Sequence, residues 1–108
     1  MARTRRMGKT KHHDQATNIS DSIPAVADKW AVIEAIFGDA YAGGTPVLTV
    51  VEGSTARFKS SFSTSSNKLN VAMRIKADKP GTALGYSTTG ISANTTLTIE
   101  YGYDDVAE

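Results

Sequence analysis

The chain has 108 residues, of which 40% are apolar and 21% charged, and a net charge of +1. That length supports one domain with a single modest core and no two-lobed enzyme, and the apolar share argues against wholesale disorder. There is no cysteine, which excludes disulfides and cysteine-ligated metal but leaves the compartment open.

The first stretch, MARTRRMGKTKHHDQ, places Arg3, Arg5, Arg6, Lys9 and Lys11 ahead of the first carboxylate, Asp14. It has no apolar periodicity, so residues 1–20 are expected to form a flexible basic arm and residues 21–108 a compact domain. Setting those five cations aside leaves seven of the 12 against 11 carboxylates, so the remainder carries about −4. The arm is therefore the positive pole, and Asp104, Asp105 and Glu108 form an acidic tail able to meet the arm of a neighbouring copy. No long apolar run follows the cations, so neither a secretory signal nor a membrane span is expected.

Order is expected to begin at Asp21-Ser22-Ile23-Pro24, where Asp21 or Ser22 can cap a helix and Pro24 suits its first turn. Val26, Trp30, Ile33 and Phe37 recur at four, three and four residues, which predicts one amphipathic helix from Pro24 to Phe37, with Trp30 in its core stripe and Gly38 as its stop. Beyond it the period falls to two. Strands are predicted at Val47 to Val51, Ala56 to Ser63, Lys68 to Lys76, Ala83 to Ser87 and Thr96 to Tyr103. The fold class is thus mainly β (α+β), with about five antiparallel strands in a sheet, small sandwich or barrel, preceded by the helix and the arm.

Little in the sequence points to catalysis. Both histidines, His12 and His13, lie in the arm, where they have no fixed geometry for a metal or for a Ser-His-Asp nucleophile. Asp104 and Asp105 are adjacent near a chain end and read as solvated rather than as an acid-base pair. Gly43-Gly44-Thr45-Pro46 lacks the spacing of a phosphate-cradling loop. No enzyme activity, cofactor or metal is expected.

The arm has a use that requires no fixed geometry. Five cations within 13 residues can neutralise phosphates and release counterions, or order along a neighbouring subunit. A basic arm, a polar hinge and a compact β-rich body resemble the organisation of many small viral and phage structural proteins. The resemblance covers the whole chain loosely and rests on architecture, not on a motif. It implies a virion component made in the host cytoplasm: a minor capsid, decoration or small coat protein. Its partners would be copies of itself or other capsid proteins, and nucleic acid touched non-specifically through Arg3, Arg5, Arg6, Lys9 and Lys11. The approximately 88 residues beyond the arm look short for the full jelly roll of a major coat protein. The alternative is a cytoplasmic nucleic-acid-binding module that uses the same arm, although the acidic body is a poor groove for a nucleic-acid strand.

Overall fold

The computed structural model describes residues 5–64 and 67–105, with side chains from Gly8 onward. These residues form nine strands: β1 Arg5–Gln15, β2 Ser20–Ile23, β3 Lys29–Asp39, β4 Val47–Glu52, β5 Thr55–Ser61, β6 Leu69–Val71, β7 Ile75–Lys76, β8 Leu84–Thr89 and β9 Thr95–Asp105. They build two antiparallel sheets. The first runs β1-β9-β3-β6, with β7 also on β3, and the second runs β2-β8-β4-β5.

The pairing is nested from the ends of the chain inward. β1 pairs with β9, β2 with β8, β3 with β6 and β7, and β4 with β5. The chain is thus one long antiparallel ribbon, and β9 against β3 and β8 against β4 join alternate pairs of that ribbon into opposite sheets. With β6 and β7 counted as one interrupted strand, the eight positions have the jelly-roll arrangement.

Between the sheets lies one core. The first sheet contributes Ile33, Ile36, Leu97, Ile99 and Tyr103, and the second contributes Leu48, Val50, Leu84 and Tyr86. The strands predicted at Val47 to Val51 and Thr96 to Tyr103 fill it by alternation: Leu48 and Val50 are buried, as are Leu97 and Ile99, while Glu100 faces solvent.

Among the described residues there is no α-helix, which overturns the helix expected over Pro24 to Phe37. Its place is taken by β3, and the physical reason is a bulge. The register of β3 against β9 shifts between Ile33 and Ala35, so Glu34 is an extra residue. Ala31, Ile33 and Ile36 therefore all face the core, at spacings of two and three that imitate a helical stripe. Trp30, Val32, Ala35 and Phe37 fall on the opposite face. Trp30 is consequently not a core residue: it is half-buried on the outer face of the first sheet, with the Lys76 ammonium 4.5 Å from its ring centroid.

The second correction concerns the arm. Residues from Arg5 to Gln15 form the edge strand β1, in register with β9 from Arg5 opposite Asp104 to Gln15 opposite Thr95. A polar strand can join a sheet because the ladder is made by backbone groups, whose hydrogen bonds do not depend on apolar side chains. It also removes the objection from size, because the residues set aside as an arm supply the first strand of the jelly roll. The acidic tail is corrected in the same way: Asp104 and Asp105 are the last residues of β9, Asp104 is fully buried, and Glu108 lies outside the described residues.

Candidate interaction surface

Of the five cations expected to act together, the fold engages Lys11 and leaves Lys9 exposed. Arg3 lies outside the described residues. Arg5 and Arg6 stand on β1 opposite Asp104 and Tyr103. The β1 register then shifts between Arg6 and Lys9, around Gly8 with φ 94°, a left-handed conformation that suits glycine in a bulge. Lys9 follows the bulge and is exposed. Lys11 is turned to the second sheet, where its ammonium donates to Asp21 Oδ2 at 3.1 Å.

Read as a strand, β1 has two polar rows. Thr10, His12 and Asp14 lie opposite Glu100, Thr98 and Thr96 on the outer face of the first sheet. There His12 Nδ1 is 2.8 Å from Thr98 Oγ1, and Tyr41 donates its hydroxyl to Asp14 at 3.1 Å. Lys9, Lys11, His13 and Gln15 make the other row, turned toward the second sheet at the flank of the sandwich. His13 Nε2 lies 2.7 Å from the Tyr86 hydroxyl and 3.6 Å from Asp21 Oδ2. Its ring meets the Tyr86 ring edge-on, with centroids 5.6 Å apart. The Tyr86 hydroxyl also lies 3.4 Å from Asp21 Oδ2, so Lys11, His13, Asp21 and Tyr86 are one cluster spanning β1, β2 and β8.

Burial sets the chemistry of this cluster. For His13, desolvation lowers the pKa and outweighs the opposing pull of Asp21, while Lys11 and His12 reinforce the lowering. For Asp21, burial alone raises the pKa, but the Ser22 N–H, Lys11 and His13 prevail and hold it below the ordinary carboxylate range. The Tyr86 hydroxyl is pushed well above the usual tyrosine range, first by burial and then by the charge of Asp21. At neutral pH the cluster therefore holds a neutral imidazole, a carboxylate and a protonated phenol.

A second polar group covers the outer face of the first sheet. Asp104, with no exposed surface, receives Arg74 and has the Lys76 ammonium at 3.3 Å, and Arg74 Nε also reaches Glu34 at 3.1 Å. Burial works to raise the Asp104 pKa, but the hydrogen bonds from Arg74 and Lys76 overcome it and lower it. Arg74 is in turn raised by that bond to Asp104. Lys76 of this network lies over the half-buried Trp30, whereas Phe37 at the other end of the outward apolar row of β3 is 39% exposed. The opposite flank, between β5 and β6, is an open cleft of about 480 Å³ lined by Ser60, Ser61, Asn67, Lys68 and Asn70 over Phe62.

Among the described residues no three His, Asp or Glu side chains are grouped as metal ligands, and no helix is long and apolar enough to cross a membrane. A flexible arm over residues 1–20 gives His13 no fixed partner, so the sequence expectation does not reach the His13–Asp21–Tyr86 cluster. The signal was present in the alternation of Lys9, Lys11, His13 and Gln15, which share one face at a period of two. Comparisons with family models, curated proteins and solved structures give no match for this chain.

Proposed function

We propose that the protein is a structural virion component, a small coat, minor capsid or decoration protein that associates with itself or docks on a shell. The observation that carries this reading is the jelly-roll nesting of strand pairs, combined with a basic strand along one edge of the first sheet. Viral capsid domains use this strand arrangement, as do lectins and cupins, so the fold supports the reading by analogy. What favours a shell subunit is where the charge lies. Arg3, Arg5, Arg6 and Lys9 fall close together in the sequence, and setting them aside leaves eight cations against 11 carboxylates, a remainder of about −3, so they are suited to genome phosphates or to an adjoining subunit.

The test is particle size followed by salt dependence. A shell protein sediments or scatters as a large uniform assembly, alone or with its shell partner. With Lys11 engaged by Asp21, at most four of the five cations reach phosphate, and a log-log slope no steeper than about −3.6 against salt is expected for nucleic acid. Sequence preference should be absent, since phosphate contacts do not read bases. A monomer that forms no particle and binds nucleic acid with that slope would transfer the assignment to the cytoplasmic binding module. A monomer that does neither would sink both readings.

A further inference from the structure

Strand β1 is attached to the molecule unlike any other long strand. It lies at the edge of the first sheet, with β9 as its single sheet neighbour. None of its described side chains belongs to the hydrophobic core, whereas β3 and β9 each contribute several. The row that β1 turns to the second sheet is Lys9, Lys11, His13 and Gln15, and of these Lys11 and His13 make the contacts across the flank, to Asp21 on β2 and Tyr86 on β8. A strand held by one backbone ladder and a few polar side chains belongs to the low-stability end of a structure.

We propose that Lys11, His13, Asp21 and Tyr86 form a proton-operated latch, which fastens the basic edge strand β1 to the second sheet at neutral pH and loosens it on mild acidification. With a neutral imidazole, the Tyr86 O–H donates to His13 Nε2 across the 2.7 Å contact. When Nε2 takes up a proton it becomes a donor, the bond reverses, and the Tyr86 hydrogen turns to Asp21 Oδ2, 3.4 Å away. The imidazolium is then held in a partly buried site, beside the Lys11 ammonium that shares Asp21 with it. Among the described residues, the charged or titratable groups that act on the cluster are Lys11 and His12 on β1, Asp21 on β2, and Tyr86 on β8 with Tyr101 of β9 behind it. Asp21 attracts the new charge, whereas Lys11, His12 and burial oppose it more strongly. The imidazolium is best relieved by swinging into water, and that motion carries β1 away from β2 and β8.

The release frees Lys11 from Asp21 on the strand that also bears Arg5, Arg6 and Lys9, so acidification would add Lys11 to the cations that the proposed function assigns to genome or neighbour. The latch itself rests on the fold and holds whether or not the shell reading is right.

Hydrogen exchange of the full-length protein between pH 8 and pH 5, corrected for intrinsic rates, reads it directly. Protection of the backbone amides from Lys9 to Gln15 should fall several-fold on acidification, while those of β3 and β8 stay protected. His13→Gln should remove the pH dependence in β1, and His12→Gln should leave it in place. Tyr86→Phe, which keeps the ring and removes the hydroxyl, gives a second route if the first variant folds poorly, and it too should flatten the response. Unchanged β1 protection across this range, or a loss that survives both His13→Gln and Tyr86→Phe, would overturn the latch.

Discussion

The two flanks of the sandwich solve the same problem with different chemistry. Each is a place where the edge of one sheet approaches the edge of the other: β1 and β2 on one side, β5 and β6 on the other. At the first, the gap is bridged by Lys11 and His13 reaching Asp21 and Tyr86. At the second, Phe62 is buried to 3% exposure beneath the polar cleft, with its ring against Gly38 and beside Leu69. The chain there is pinned by backbone bonds from Phe62 N to Pro46 O and from Ser63 N to Asn67 O. A polar bridge gains little net energy, because its members exchange water for one another, but it responds to protons. An apolar plug gains more and is blind to pH.

The contrast is sharpest in its largest effect. Phe62→Ala should lower stability by about 3–5 kcal/mol, by equal amounts at pH 8 and pH 5, in denaturant titrations. A loss below about 1 kcal/mol would mean that the β5–β6 flank is not closed by Phe62. Next comes Gly38→Ala. A Cβ there would stand 3.0 Å and 3.1 Å from two Phe62 ring carbons and 3.2 Å from Leu69 Cβ, so the plug must shift. Its cost is expected to be about 1–3 kcal/mol, and it should shrink when combined with Phe62→Ala, because the two changes share one contact.

Smaller effects belong to the polar flank. Tyr86→Phe should cost about 1 kcal/mol at neutral pH, since it leaves the buried ring in place and removes one hydroxyl. Lys11→Gln should cost less than ~1 kcal/mol, because the Lys11–Asp21 pair is partly exposed. If either exceeded Phe62→Ala, the ranking of the flanks would be reversed.

The pH profile separates them as well. The folded state lowers the pKa of His13, so the unfolded chain binds more protons below the ordinary histidine value of 6.5. The stability from the neutral imidazole is complete above that value and is lost as pH falls through the lowered folded one. Asp21 and Asp104 are also lowered, and their contribution is present above the ordinary carboxylate value of 3.8 and disappears at more acid pH. Thermal melts should therefore show two falls on acidification, and His13→Gln should abolish only the upper one.

Much of this molecule was legible in the order of its residues. The alternations at Leu48 and Val50, and at Leu97 and Ile99, place side chains on one face at the strand period, and those strands lie where the sequence predicted them. Local periodicity suffices when one face is buried and the other is wet. It fails on β3, where Ala31, Ile33 and Ile36 face inward while Trp30, Val32, Ala35 and Phe37 form an apolar row outside, so the run is apolar on both sides. The bulge at Glu34 then converts a period of two into helix-like spacing. Residues far along the chain decide that outcome, because β3 becomes a strand by pairing with β9, β6 and β7. The same holds for β1, whose composition forbids a core of its own. Lys9 lies opposite Tyr101 and His13 touches Tyr86, contacts that close across most of the chain. The sequence alone determined that the first strand would be basic and polar. Only the tertiary structure, by offering it the open edge of β9 and the carboxylate of Asp21, decided that those residues would be ordered at all.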